Sequence, residues 1–306
     1  MTRVALIFVL VTVVILIVFL VWSAQSNEEQ KLVAPKQHIG LTERQQRVVE
    51  HITAAHKEKS SKADKIRISY LVLVIAEHAP DSPDAVVQLY EKLKEHWLAQ
   101  WREQGGDDFA LFLLDASACP SDPVQVCVEQ NRIGVDCENS IVPGVLVKTL
   151  AGMQALFERY EFQFLIRSNL SSYLLLRNLR KHLQELPTER VYAGHDMGGF
   201  VSGSTFILSA DLVQLLLDRL PNVDFTMADD LWVAHILNGA GVERRHIGAE
   251  WFEHVKDHND PLLKEVLQRC KKPDFMSFQI RIRNEPPRNR LVIDPWLRQQ
   301  VHTQCS

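Results

Sequence analysis

Two short stretches of the chain gather residue types that do chemistry. Asp229-Asp230 stands where a helix opens after Thr226. Neighbouring side chains on a helix point about 100° apart. One carboxylate can therefore answer free backbone N–H groups in a Thr-x-x-Asp capping box with Thr226, while the other faces a cleft as a general base. Arg167-Ser168-Asn169-Leu170-Ser171-Ser172 follows an apolar run and offers a cation, an amide and hydroxyls. That set suits phosphate or sugar hydroxyls, and equally the cap of a helix. Asn169-Leu170-Ser171 is also an N-glycosylation sequon, which a position at a strand end inside a cleft would keep from use.

Other clusters read differently. Gly194-His195-Asp196-Met197-Gly198-Gly199 has the G-x-nucleophile-x-G spacing of an α/β-hydrolase elbow, with Asp196 in the nucleophile's place. Its lead-in, Pro187 to Tyr192, is not a long apolar strand, so a glycine-rich loop shaping a cleft is the simpler account. His246, His254 and His258 read as exposed loop histidines, and Trp97, Trp101 and Trp232 as core. Of five Cys, the nearby Cys119, Cys127 and Cys137 can form one bridge in an oxidising lumen, with the pairing open. The chain has no P-loop, GxGxxG or H-E-x-x-H pattern.

These residues need elements to hold them. The apolar run over 66–76 and FALFLLD over 109–115 read as buried strands, separated by an amphipathic helix from Ser82-Pro83-Asp84 to about Arg102. A short strand follows at 124–128, then a helix over 145–160, a strand over 162–167, and a helix from about Ser171 to Glu185. Strands at VYAG and FILS, helices over 210–220 and from Asp229 to Asn238 with Gly239 and Gly241 as stop signals, a strand at FQIRIR and a short helix from Asp294-Pro295 complete the reading. Alternation of this kind predicts an α/β fold with a mostly parallel sheet. Ligands in such sheets sit beyond the carboxyl ends of the strands, here Asp115-Ala116-Ser117 and Arg167 to Ser172.

With 306 residues, 46% of them hydrophobic, and a net charge of −4, the chain is globular in composition and carries no basic tract for nucleic acid. Residues 4–22 are uncharged and long enough to span a bilayer. Arg3 before the span and Glu28 and Glu29 after it predict residues 1–3 in the cytosol, a signal anchor at 4–22, a polar stem over 23–64, helical around 43–59, and one large domain over 65–306 facing a lumen.

Read in order, the blocks over 136–241 resemble the glycosyltransferase family 31 type of β-1,3-galactosyl- and N-acetylglucosaminyltransferases. The blocks are Asp136-Cys137-Glu138 with Pro143 to Leu150; FQFLIRSNLSSYLL; Phe200 to Val213; and Ala228-Asp229-Asp230-Leu231-Trp232-Val233 before Gly241-Val242. The resemblance implies a Rossmann-like GT-A fold in a type II protein of the Golgi or another secretory-pathway membrane. It implies inverting hexosyl transfer from a UDP-linked donor, a UDP-hexose or UDP-N-acetylhexosamine, to a glycan, glycoprotein or glycolipid. Asp230, with Asp229 beside it, is then the catalytic acid pair. Arg167, Asn169, Ser171, Ser172 and Lys148 face the donor, and Ser202 and Gly203 lie on the acceptor side. The family's D-x-D, which holds a divalent ion such as Mn²⁺, is replaced by Arg167-Ser168-Asn169, so the metal ligands are unassigned. Either Arg167 clamps the diphosphate in the metal's stead, or the fold binds glycans without transfer. The surviving Asp230 favours the first.

Overall fold

In a computed structural model, the described residues are 40–58, 65–76, 84–116, 126–253, 255, 257–283 and 290–305. The expected span at 4–22, and Ser82, Pro83, Ser117, Cys119 and His254, lie outside them. Among the described residues no helix is long and apolar enough to cross a membrane.

The fold is mixed α/β, with a largely parallel central sheet. Its strands are β2 (Tyr70–Ile75), β3 (Phe109–Asp115), β4 (Val126–Glu129), β5 (Arg132–Val135), β7 (Phe164–Asn169), β9 (Tyr192–Asp196), β10 (Val201–Ser209) and β11 (Arg244–His246). They lie in the order β11-β9-β10-β7-β2-β3-β5-β4. β10 runs antiparallel to β7 and β9, and β4 antiparallel to β5; the other pairings are parallel. A short parallel pair joins β1 (Ile66–Arg67) to β6 (Tyr160–Glu161). A second sheet orders β12 (Ala249–Glu253), β13 (Gln279–Arg283) and β8 (Ser172–Leu174).

Burial on both faces explains why the strands read as continuous apolar runs rather than alternating ones. Every residue of β2 is buried, and successive residues serve opposite cores. Leu71, Leu73 and Ile75 pack with α1 (Glu43–Lys57), α3 (Gly144–Arg159), α5 (Ala210–Leu217) and α6 (Asp229–Gly239). Tyr70, Val72 and Val74 pack with α2 (Asp84–Gln104) and α4 (Leu176–Glu185). A third core joins the small sheet to α7 (Pro261–Arg269) and α8 (Arg290–Cys305). From β2 the chain steps outward through β3 to β5 and then returns as β7 on β2's other side. Open α/β sheets place a ligand crevice at such a reversal, here beyond the carboxyl ends of β2 and β7.

Several expectations are corrected. The helix expected within the stem is α1, closed at its start by a capping box between Thr42 and Gln45. Its Val48, Val49 and Ile52 are buried against α3, so it belongs to the folded unit that spans residues 38–306. The helix expected from Ser171 begins at Leu176, because Ser172–Leu174 pair with β13 instead. The strand read as FILS is the nine-residue β10, and β5, β11, β12 and α7 were not anticipated. The last helix starts at Arg290, with Pro295 inside it. Trp97, Trp101 and Trp232 do pack in or against the cores. Gly241, at φ +65°, takes the left-handed turn expected after α6. Cys127 is disulfide-bonded, Cys137 keeps a buried thiol, and Cys270 bridges to Cys305, a pairing the sequence did not suggest.

Candidate active site

At the crevice the antiparallel β10 begins beside the carboxyl end of β7, with Thr205 opposite Ser168. The first turn of α6 abuts this start. Asp230 uses Oδ2 to accept the backbone N–H of Gly203 at 2.8 Å and Oδ1 to accept that of Leu231 at 2.9 Å. A Cβ on residue 203 would lie 2.8 Å from Asp230 Oδ2, so only glycine allows this approach. The Asp230 side chain stays half-exposed.

Asp229 points the other way, as the 100° step requires. It is 4% exposed, its Oδ2 lies 2.7 Å from Arg167 Nη2, and it accepts the Thr149 hydroxyl at 3.0 Å. Burial pushes its carboxyl up from the ordinary range, the Arg167 charge opposes that rise, and Asp230 adds to it. The expected capping box is absent: Ala228 is the N-cap, and the Thr226 hydroxyl donates to Asp224. Asp229 is therefore an internal anchor rather than a cleft acid.

Arg167 is 2% exposed. Nη1 donates to Asn169 Oδ1 at 2.7 Å and also to the Gly203 carbonyl, so one guanidinium joins β7, β10 and α6. Its side chain is thus taken up by partners within the protein rather than left open at the end of β7. Lys148, 1% exposed, donates to Asn139 at 2.7 Å and is likewise internal. Ser172 donates to the Ser204 carbonyl at 3.0 Å and accepts from Gln279 at 2.7 Å, while Ser202 donates to Ser204 Oγ at 3.1 Å. Ser172, Ser202 and Ser204 thus form a hydrogen-bonded polar layer between β8 and β10, and Ser171 is buried nearby in sequence. Asn169, half-buried at the end of β7, and Gly203 are the remaining expected residues beside Asp230.

At the D-x-D position the donors are a guanidinium, a hydroxyl and an amide, a set that does not fit a hard divalent cation. Among the described residues no group of three or more His, Cys, Asp or Glu is placed to hold a metal. The elbow reading of Asp196 also falls. β9 turns through residues 197–200 into an antiparallel hairpin with β10, not into a helix. Asp196 accepts from Gly198 N–H at 2.9 Å and Arg244 Nε at 3.2 Å, contacts that hold its carboxyl below the usual range. His246 is exposed on β11, and His195 lies against Trp251, the rings tilted by 38° with centroids 4.4 Å apart. Thr149 was not anticipated; its neighbour Lys148 marked the segment, but its bond to Asp229 spans 80 residues. No protein-family model matches the chain, and no curated protein matches it.

Proposed function

We propose that the protein is an inverting glycosyltransferase of GT-A type, transferring a hexosyl unit from a UDP-linked donor to a glycan or glycoconjugate hydroxyl. The observation that carries this reading is Asp230, held by the Gly203 and Leu231 N–H groups at the carboxyl edge of the sheet. An ionised carboxylate offers about four lone-pair sites. Two are occupied, which leaves acceptor capacity for a substrate hydroxyl. In the proposed step Asp230 takes the proton of the acceptor hydroxyl, and the oxygen bonds to C1 of the donor sugar. The C1–O bond breaks on the opposite face, and UDP leaves with its electron pair. Arg167 acts from behind, by neutralising Asp229 and fixing α6 against β10. The reversal in strand order between β2 and β7 supports nucleotide binding at this edge. The Cys270–Cys305 disulfide supports an oxidising lumen, in keeping with a type II membrane protein of the Golgi or another secretory-pathway compartment.

The burial of Arg167 at the D-x-D position favours a second reading, in which the fold binds a nucleotide sugar or glycan without transfer. One experiment separates the two. Full-length protein in mild detergent is offered UDP-hexoses and UDP-N-acetylhexosamines with a panel of glycan acceptors in EDTA. Acceptor-dependent UDP release that Asp230→Asn abolishes, with UDP affinity retained, supports transfer. Binding without release supports the second reading. Release unchanged in Asp230→Asn removes Asp230 as base.

A further inference from the structure

The start of β10 is out of step with β9. Val201 lies opposite Asp196 and Phe206 opposite Gly194, so four residues of β10, 202–205, face one residue of β9, His195. Pairing with β7 begins only at Thr205, which leaves residues 202–204 outside both registers. A bulge of this kind re-aims the strand that carries it.

Main-chain groups released from a ladder must find partners elsewhere. Here side chains supply them. Gly203 N–H donates to Asp230 Oδ2 at 2.8 Å, and the Gly203 carbonyl accepts from Arg167. Ser204 N–H donates to Ser202 Oγ at 3.2 Å, and the Ser204 carbonyl accepts the Ser172 hydroxyl at 3.0 Å. At the entry to the bulge, Val201 N–H donates to the Tyr192 hydroxyl at 3.0 Å. Tyr192 is wholly buried, in the core that also holds Val201 and Trp232 of α6. Burial, opposed by the Val201 bond and aided by the Asp230 charge, pushes its phenol above the ordinary range, so the hydroxyl stays neutral. The bulge closes over Gly194, where a Cβ would lie 2.7 Å from the Thr205 carbonyl oxygen.

Asp230 takes one of its two backbone hydrogen bonds from this bulge and the other from α6, so the place of its carboxylate is set by β10 as well as by its own helix. We propose that Tyr192, by pinning Val201 at the entry to the bulge, is a positioning residue for Asp230, given the base role proposed above. Buried as it is, Tyr192 touches no substrate. Without its hydroxyl, Val201 N–H is stranded in the core, the bulge shifts to recover a partner, and Gly203 is drawn off the Asp230 carboxylate. The base is then poorly aimed, while the donor's contacts are unaltered.

Full-length protein in mild detergent, labelled with [15N]glycine, reports the Gly203 amide by NMR, the resonance being identified by its loss in Gly203→Ala. A neutral acceptor makes a weaker hydrogen bond than a carboxylate, so Asp230→Asn sets the upfield limit for the Gly203 proton. In Tyr192→Phe that proton should move most of the way to this limit, while kcat falls about tenfold and the donor KM stays within about twofold. Ile207→Val, on the same strand but in the opposite core, should change none of these. If Tyr192→Phe does not fold by circular dichroism, Ser202→Ala, which frees Ser204 N–H in the same bulge, should move the Gly203 proton the same way. An unmoved Gly203 proton in the folded variant overturns the proposal. So does a fall in kcat matched by a rise in donor KM, or an equal movement in Ile207→Val, since either marks general loosening. Wild-type protein without turnover removes the transfer reading alone. The Gly203 proton then still decides, its movement in Tyr192→Phe upholding the placement of Asp230 and its constancy overturning it.

Discussion

Arg167 and Arg298 are both almost wholly buried, yet they are held in different ways. Arg167 sits 2.7 Å from its own carboxylate, Asp229, and closes a network that joins β7, β10 and α6. Arg298, on α8, is held by two carbonyls instead, those of Leu170 and Ser172; each guanidinium keeps one buried N–H without a partner among the described residues, Nε of Arg167 and Nη1 of Arg298. A buried cation bonded to its own carboxylate clamps through charge, whereas one bonded only to carbonyls clamps through dipoles, with Asp294 acting on it from a distance. Cationic residue type alone, which pointed to Arg167 as the ligand-binding arginine, does not separate these cases. The location of the nearest carboxylate does.

The largest expected effect tests the clamp. Arg167→Met strands a buried Asp229 carboxylate and should cost about 3–5 kcal/mol in denaturant unfolding. Adding Asp229→Leu should restore much of that loss. No recovery in the double variant would mean that Asp229 is not the partner that matters. Next, Cys270→Ser with Cys305→Ser opens a link across 35 residues that closes α7 onto α8, and a loss of about 2–4 kcal/mol is expected. The loss should fall on the flank formed by α7 and α8, with hydrogen exchange in α3 and β2 nearly unchanged. Arg298→Met should cost only about 1–3 kcal/mol, since Asp294 keeps its pair with Arg290 and the Leu170 carbonyl keeps its bond from Trp97. A loss as large as that of Arg167→Met would erase the contrast between the two arginines. Smallest is Gly203→Ala, whose Cβ displaces Asp230. Turnover should fall about tenfold with UDP affinity unchanged, and an equal fall in affinity would place Gly203 on the donor side.

Apolar patterning made the central strands legible. β2, β3 and β7 are buried on both faces and show it residue by residue. The FILS reading stops short of the start of β10 because its first half, Val201-Ser202-Gly203-Ser204, is polar: the Ser202 hydroxyl pairs with Ser204 within the strand, and the Ser204 hydroxyl reaches Gln279 of β13. α1 reads as stem because three buried apolar residues in a polar helix are a weak stripe until α3 is laid against them. Within the site, the Asp229-Asp230 pair was readable, and its division of labour followed from helix geometry. The Arg167–Asp229 pairing was not, since it joins residues 62 positions apart through three elements. The missed residues, Thr149 and Arg298, sit mid-helix, where sequence distinguishes a buried polar group poorly from a solvated one.

The two outermost strands of the central sheet have a consequence for solubility. β4 and β11 are only four and three residues long, and β11 reads Arg-Arg-His. Short margins with clustered cations resist the addition of a neighbouring chain's strand. The protein should accordingly tolerate crowding against copies of itself without assembling edge to edge, and replacing Arg244 and Arg245 by Val and Thr would create the flat apolar border on which such stacking begins.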